Sequence, residues 1–362
     1  MSASSVAAAM PWTEAAHVPA LRDSAIERKI MKSVPAPAHI LQHLAWVPWV
    51  AEAGVRFGPA MRSALPPRFG GLIALVVSQD NACRHCYGMT RAILRLGGMN
   101  ERVIRQLETD LYTAPLTDQE MVALEYARRV SRAAPRVGPA DLAALAAAGY
   151  SPAEVVEITY AAAVAVYCNR NSTLLAVQPE AIEGLASGPF AWITRPVVRR
   201  VMRMMKFSYP PEPVPAGTTT PVDALFAALE GMRGRDDLRR AVVDAQASPL
   251  TTLRQKALIM AVVAAGLDCH LCARGSRDVL RREGIPEAEV DGMVTHLASD
   301  RLDPFEVALM RFARETVRYR PEQIHAKCAE FFRGMESALA VEVVALCSLA
   351  NLLGRLSVLL PR

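Results

Sequence analysis

The sequence contains few aromatic residues and no clear strand signals. Phe, Trp and Tyr together make up 6% of its 362 residues, whereas Ala, Leu, Val and Arg are abundant. Apolar positions recur at the spacing of helices rather than with the alternation of half-buried strands. Because 52% of the residues are apolar, the chain has enough material for the cores of two or three domains. We therefore predict an all-α protein.

The sequence also lacks the motifs of several function classes. It contains no Gly-rich phosphate loop and no nucleophile elbow of the Ser/His/Asp type. Residues 1–13 have no basic start followed by a long apolar run, so we predict no secretory signal. Seven cysteines without a dense disulfide framework favour a reducing compartment, and we expect a cytoplasmic protein.

Two apolar segments, Ala153–Leu175 and Ala338–Leu360, are long enough to resemble membrane spans. Both are interrupted by charged residues, which include Glu157 and Arg170 in the first and Glu342 and Arg355 in the second. Uninterrupted apolar stretches of about 12 residues are more typical of buried core helices than of membrane spans. We predict two central core helices and no membrane span.

Most of the net charge of +5 comes from one segment. Residues 195–206 contain five basic side chains and no acidic one, and four prolines follow between positions 210 and 215. We interpret this segment as an interdomain helix with a Pro-rich connector. The alternative is a basic amphipathic helix that binds an anionic surface. Nothing else in the sequence supports nucleic-acid binding, and we predict none.

Two Cys-x-x-Cys motifs, Cys83/Cys86 and Cys269/Cys272, lie 186 residues apart. The same offset also matches positions unrelated to sulfur, as expected for a duplicated domain. The matched pairs are Arg68 and Arg254, Gly98 and Gly284, Leu116 and Leu302, Glu120 and Glu306, and, after a one-residue deletion, Gly149 and Gly334, Glu157 and Glu342, and Arg170 and Arg355. We predict a tandem duplication with a helical lead-in over 1–65, a first repeat over 66–180, a basic helix and Pro-rich linker over 181–220, and a second repeat over 221–362.

Local signals place helix ends at matching positions of the two repeats. Thr117 and Glu120 have the spacing of a capping box, and Asp303 and Glu306 repeat it. The cap is a sufficient explanation for both glutamates, so we interpret them as structural rather than catalytic. Gly98 and its counterpart Gly284 are suited to end the helix that follows each Cys-x-x-Cys motif.

Several of these features together resemble the alkylhydroperoxidase D and carboxymuconolactone decarboxylase family. They are the Ser78–Cys86 segment after an apolar helix, a helix ended by Gly98, a Leu-Thr-x-x-Glu helix start at Leu116 and a final helix with Asn169 and Arg170. The resemblance covers about 68–177 and 254–360. It implies an all-α fold, homo-oligomers such as a trimer of two-repeat chains, and thiol redox chemistry with no added cofactor. It also implies a peroxide or a disulfide as oxidant and a thiol or lipoyl protein as reductant.

The family's proton relay is incomplete in both repeats. Redox-active members have a Glu twelve residues before the first Cys and a His four residues after the second. These positions hold Gly71 and Thr90 in the first repeat, and Ala257 and Ser276 in the second. A His often precedes the second Cys of the motif, and His85 matches it, whereas His270 lies one residue earlier in its own motif. Because the relay is incomplete, standard peroxide reduction is in question. Since His85 keeps the family position, the first pair is the better candidate for thiol chemistry.

By the same resemblance, the second cysteine of each pair attacks first and the first cysteine resolves. The attacking residues are then Cys86 and Cys272, and the resolving residues are Cys83 and Cys269. A helix N-terminus favours a thiolate, and a protonated His85 or His270, or Arg84, adds to that effect. We therefore take the four cysteines and the two histidines as the candidate catalytic residues.

Three other interpretations stay open. Asp80 and Asp268 are close enough in sequence to act as bases, although loop aspartates more often cap turns. A four-cysteine zinc site requires the two pairs to meet in space, and we predict no metal. Two alternatives to thiol redox chemistry also stay open. The chain is then either a non-catalytic module that binds a ligand or a partner, or an enzyme with lactone decarboxylase-like chemistry on the same fold.

Overall fold

The computed structural model describes residues 10–13, 15–34, 39–57, 65–132, 135–183, 200 and 212–360. Over these residues the chain is helical and contains no strand, which confirms the predicted all-α class. The predicted helix over 195–206 lies outside the described residues except for Arg200. The α-helices within the described ranges are α1 Ala25–Met31, α2 Ile40–Leu44, α3 Pro48–Phe57, α4 Pro67–Asp80, α5 Arg84–Leu96, α6 Glu101–Thr109, α7 Asp118–Arg132, α8 Pro139–Ala147, α9 Pro152–Leu174, α10 Asp223–Ala228, α11 Arg235–Ala247, α12 Leu253–Gly266, α13 His270–Arg282, α14 Glu287–His296, α15 Pro304–Val317, α16 Pro321–Phe331 and α17 Ser337–Leu356.

Helices α4–α9 and α12–α17 form two series of six with the same order and similar lengths. The first helix of each series begins at Pro67 or Leu253, and the fourth begins at Asp118 or Pro304. Both pairs of starting positions keep the 186-residue offset of the cysteine motifs. The order of elements therefore agrees with the sequence repeat, while the exact domain limits stay a prediction.

The predicted capping boxes and the glycine turn lie at the helix ends where the sequence placed them. Thr117 and Glu120 each bind the other's backbone N–H at 3.1 Å, and α7 begins directly after Thr117. Asp303 and Glu306 form the same capping box at the start of α15. Gly98 has a φ of +101°, a conformation that favours glycine, in the turn that ends α5.

The two long apolar helices lie at the centre of the molecule. Helices α9 and α17 pack against each other, and most of their residues are buried. The segment Ser337–Leu359 is long and apolar enough to cross a membrane by length and composition, but 83% of its most apolar window is buried inside the protein. Its burial confirms the prediction of core helices.

The lead-in helices do not form a unit of their own. Helices α1–α3 join the core of the second series, where α3 packs against α11 and α17. The indole N–H of Trp49 donates to Glu342 on α17 at 2.7 Å. The start of the chain therefore covers the half that is more distant in sequence.

Candidate functional site

The same backbone turn places both cysteine pairs at a helix N-terminus. The residue before each first cysteine, Ala82 or Asp268, has a left-handed backbone with φ of +47° or +53°. The N–H of Cys83 donates back to Ser78 at 3.0 Å, and the N–H of Cys269 donates to Ala264 at 2.9 Å. These bonds end helices α4 and α12, so that the chain reverses and each first cysteine caps the next helix.

In the first pair, the Sγ of Cys83 accepts the N–H of Cys86 at 3.4 Å. Burial by itself raises the pKa of Cys83, but hydrogen bonds from Cys86 and Thr173 and the charge of Arg170 bring it below the ordinary value. The hydrogen bond to Cys83, followed by burial, raises the pKa of Cys86 well above the ordinary value. Of the two thiols in this pair, Cys83 therefore loses its proton more readily.

The second pair has the same arrangement. The Sγ of Cys269 accepts the N–H of Cys272 at 3.2 Å. Hydrogen bonding from the Cys272 thiol is the main cause that lowers the pKa of Cys269 to about 6, against the effect of burial; Ser357 and Arg136 add to the lowering. The pKa of Cys272 is raised well above its ordinary value by the same thiol hydrogen bond and by burial. In both pairs, the first cysteine has the lower pKa.

Each pair is completed by side chains from the other half of the chain. At the first pair, the guanidinium of Arg170 lies 4.6 Å from the ring centre of Tyr319, which comes from the second half. At the second pair, Arg136 from the first half binds the carboxylate of Asp268 at 3.2 Å and the hydroxyl of Ser357 at 3.3 Å. The charge that lowers the pKa of Cys269 therefore comes from the opposite half, whereas Arg170 at the first pair comes from the same half and is contacted by Tyr319 of the other.

A reciprocal pair of buried arginines holds this contact. Arg170 on α9 donates to the carbonyls of Thr316 and Val317 at the end of α15, at 2.6 and 3.1 Å. Arg355 on α17 donates to the carbonyl of Ser131 near the end of α7, at 3.1 and 3.3 Å. Both arginines are almost fully buried. They satisfy carbonyl groups at helix ends that would otherwise lack partners.

The candidate histidines have different surroundings. The Nδ1 of His85 lies 2.6 Å from the carbonyl of Gln178, and its Nε2 lies 3.9 Å from Glu180. Burial lowers the pKa of His85, so its ring is a poor cation for a thiolate. The side chain of His270 is 79% exposed and lies 3.8 Å from Asp268. The contacts of both rings are thus with backbone and carboxylate groups.

The other charged candidates bind partners of their own. Arg84 forms two hydrogen bonds of 2.9 Å with the carboxylate of Glu183. Asp80 is held by Arg128 and Arg132 at 3.0 and 2.9 Å, which indicates a structural role. The lesser candidate Asp268 is 61% exposed and binds Arg136.

The spaces beside the two first cysteines differ in size. A cavity of about 10 Å³, lined among others by His85 and His325, adjoins Cys83. A pocket of about 220 Å³ adjoins Cys269, and its lining mixes polar residues such as Asp268 and Arg277 with alanines and valines. An external reactant therefore has more room at the second pair. Sequence patterns did not reveal this difference, since the lining residues come from separate helices.

Sequence reasoning missed the residues that tune the sulfurs. They are Arg136, Arg170, Ser172, Thr173 and Ser357. The match of Arg170 with Arg355 and the match of Ser172 with Ser357 across the repeat were available as signals. Among the described residues, no group of three or more His, Cys, Asp or Glu side chains is placed to hold a metal ion. The two cysteine pairs thus do not meet in one cluster within that part of the chain.

No protein-family model matches the chain, and no curated protein matches it. Two solved structures are similar to part of it. An uncharacterized peroxidase-related protein from Silicibacter sp. TM1040 matches with a TM-score of 0.41 and 20% identity, over 48% of this chain and 93% of that one. An uncharacterized peroxidase-related protein from Ralstonia eutropha JMP134, with an alkylhydroperoxidase AhpD core, matches with a TM-score of 0.42 and 22% identity, over 46% of this chain and 93% of that one. The second of these proteins has the alkylhydroperoxidase core that the sequence motifs resemble.

Proposed function

We propose that the protein is a dithiol/disulfide oxidoreductase and that Cys269 and Cys272 form its more reactive pair. The observation that carries this proposal is the position of Cys269. Its sulfur caps a helix, its pKa is lowered to about 6, and it adjoins a pocket of about 220 Å³. A cysteine with such a pKa is a thiolate at neutral pH, and the thiolate is the nucleophile in disulfide exchange.

The proposed reaction is a two-step exchange. The Cys269 thiolate attacks one sulfur of a disulfide, forms a mixed disulfide and expels the other half of the substrate as a thiolate. Cys272 gives its proton to that leaving thiolate, and its sulfur then attacks the Sγ of Cys269. The mixed disulfide breaks, a second thiolate leaves and takes a proton from solvent, and the Cys269–Cys272 disulfide remains. The substrate has gained two electrons.

A peroxide is the second class of oxidant for the same thiolate. Cys269 attacks an oxygen of the peroxide, the O–O bond breaks, and the leaving alkoxide takes a proton from water. Cys272 then attacks the resulting sulfenic acid and releases water as the disulfide forms. A thiol or lipoyl protein restores the dithiol in both cases. Such a cycle is suited to a reducing compartment such as the cytoplasm.

The first pair supports the same chemistry beside a smaller space. Cys83 is fully buried beside a cavity of about 10 Å³, whereas Cys86 is partly exposed and lies 3.3 Å from the hydroxyl of Ser172. Large oxidants therefore reach Cys83 poorly. We expect this pair to cycle between dithiol and disulfide more slowly than Cys269 and Cys272. On the basis of His85, the sequence had favoured the first pair.

The test is alkylation with peptide-resolved mass spectrometry after mild oxidation by oxidised lipoamide or hydrogen peroxide. We expect Cys269 and Cys272 to lose their labels on oxidation and regain them on reduction, with Cys83 and Cys86 following more slowly. Cys347→Ala is the control variant. Burial raises the pKa of Cys347 to about 12, so its removal should leave the cycling of both cysteine pairs unchanged. If neither pair cycles reversibly, the redox proposal is wrong.

A further inference from the structure

The first cysteine pair is covered by a segment from outside both helical series. Residues 10–13, here called the cover, lie far before Cys83 in the sequence. Three of them, Pro11, Trp12 and Thr13, nevertheless line the cavity of about 10 Å³ beside that cysteine. Among the described residues, none from the lead-in lines the pocket of about 220 Å³ beside Cys269. The two pairs therefore differ in a wall that the repeat does not supply.

Hydrogen bonds fasten the cover to both halves of the chain. The side-chain amide of Gln178 donates to the carbonyl of Thr13 at 2.7 Å. The Nε2 of His325 lies 3.3 Å from the carbonyl of Pro11, and it is the donor because a carbonyl can only accept. Farther along, the N–H of His17 donates to the carbonyl that follows α9 at 2.9 Å.

Buried apolar side chains anchor the lead-in on either side of these bonds. Met10 is 5% exposed and lies in the core of the first series. Val18 is 1% exposed and lies in the core of the second. Burial of both side chains opposes their release into water, so the cover is held over the cavity.

His85 connects the cover to the cysteine motif itself. Its Nδ1 lies 2.6 Å from the carbonyl of Gln178, the residue whose side chain holds Thr13. The matching position of the second motif is Leu271, whose side chain has no hydrogen-bonding group. His85 thus helps to position the segment that holds the cover, and the second pair has no equivalent at this position.

We propose that the cover determines the oxidant specificity of the first pair, because it admits small oxidants and excludes disulfides. This inference rests on the proposed function, since it concerns which oxidants reach Cys83. A space of about 10 Å³ is the size that one water molecule occupies, so it admits little more than the terminal oxygen of a peroxide. A disulfide brings a carbon and a second sulfur with the sulfur that is attacked, and the mixed disulfide keeps that carbon chain at Cys83. The cover occupies the room that this chain needs.

Both reactions give the same oxidised pair. With hydrogen peroxide, the Cys83 thiolate takes one oxygen, the O–O bond breaks, and the leaving hydroxide takes a proton. Cys86 then attacks the sulfenic acid and releases water. With a disulfide, Cys83 displaces one thiolate and Cys86 displaces the second, and each thiolate takes a proton. Because the protein product is identical, the second pair can serve as the reference for the intrinsic reactivity of each oxidant.

The test compares oxidation of the reduced full-length protein by hydrogen peroxide and by hydroxyethyl disulfide. The reaction is stopped with acid, the remaining thiols are alkylated in denaturant, and peptide mass spectrometry follows each disulfide separately. Alkylation after unfolding makes the result independent of the burial and the pKa of each thiol. We expect the ratio of peroxide rate to disulfide rate to be at least about tenfold higher for the first pair, because three hydrogen bonds open before a disulfide fits.

Gln178→Leu removes one of these bonds without changing a sulfur. Loss of one hydrogen bond should open the cover about five times more often, so hydroxyethyl disulfide should oxidise the first pair about fivefold faster. The peroxide rate at this pair and both rates at the second pair should not change. Gln323→Leu is the matched control, because it makes the same substitution at an exposed position of α16. If Gln178→Leu fails to fold, as judged by circular dichroism, His325→Leu removes the bond to Pro11 and should give the same change in specificity.

The proposal is overturned if the two pairs have the same ratio of peroxide rate to disulfide rate. It is also overturned if the bond-deleting variant raises both rates at the first pair equally, or leaves the disulfide rate there unchanged. If neither pair is oxidised reversibly by either reagent, the proposed function itself is wrong. If Cys269 and Cys272 cycle while the ratios agree, the proposed function stands and the selection by the cover is wrong.

Discussion

At the scale of single residues, the two sulfurs of each pair are not equivalent. The first cysteine caps the helix and accepts the N–H of the second, so negative charge is stabilised on Cys83 and Cys269. The resemblance to a known family suggested instead that Cys86 and Cys272 attack first. Charge stabilisation favours the first cysteine because only its sulfur lies in front of the helix N-terminus.

The pKa of Cys269 leads to a prediction about pH. Alkylation of Cys269 in the reduced protein should rise with pH through a midpoint near 6, because the thiolate forms there. Arg136→Gln removes a cation that lowers this pKa, so the midpoint should move upward. Peptide-resolved alkylation rates between pH 4.5 and 9, in steps of about half a unit, measure both midpoints against an ordinary thiol value of about 8.5.

Arg277→Gln is the control for that experiment. Arg277 lines the same pocket but binds Asp291, and it is not among the groups that shift the Cys269 pKa. Its substitution should leave the midpoint near 6. An unchanged midpoint in Arg136→Gln would show that this arginine does not stabilise the thiolate.

At the scale of elements, α9 and α17 are joined to the helix ends of the opposite half. Arg170 supplies hydrogen bonds to two carbonyls at the end of α15 and to the side chain of Asn81. Arg355 does the equivalent at the end of α7. Buried arginines in such positions are costly to remove, because the acceptors then remain buried without donors.

Arg170→Met should therefore destabilise the protein strongly. It leaves the carbonyl of Thr316 and the side-chain oxygen of Asn81 without this donor, whereas Arg355 still donates to the carbonyl of Val317. Each unsatisfied group costs about 1–3 kcal/mol, so we expect a loss of about 2 kcal/mol or more in the free energy of unfolding, measured by urea denaturation of the reduced protein. Arg105→Met is the control, because Arg105 is 53% exposed and its ion pair with Glu101 is worth about 1 kcal/mol or less. Equal losses in the two variants would contradict the assigned role.

At the scale of the whole molecule, the two helical series depend on each other. Tyr319 and Arg136 each come from one half and lie at the cysteine pair of the other. The lead-in helices also pack on the second half through Trp49 and Glu342. Neither cysteine pair therefore has its full surroundings within a single half.

This dependence predicts that the first half does not fold as a stable monomer by itself. A fragment of residues 66–183 exposes the apolar face of α9 and leaves Arg170 without its partners on α15. We expect circular dichroism and light scattering to show that the fragment is unfolded or self-associated. The full chain should be folded under the same conditions. A cooperatively folded monomeric fragment would show that the halves are independent.

Much of the architecture could be predicted from local sequence patterns. The capping boxes at Thr117 and Asp303 and the turn at Gly98 depend on residues close in sequence, and the structure confirms them. The roles of His85 and His270 could not be judged in this way. Their ring contacts depend on Gln178 and on exposure, and these are properties of the folded chain.

The sequence by itself determined the helical class and the position of each cysteine pair at a helix N-terminus, and it predicts the repeat. These features follow from periodicity and capping, which act over a few residues. Tertiary structure alone decided which charges and spaces surround the sulfurs. Arg136 and Cys269 are more than a hundred residues apart, and only the packing of the two halves places that guanidinium where it stabilises the thiolate.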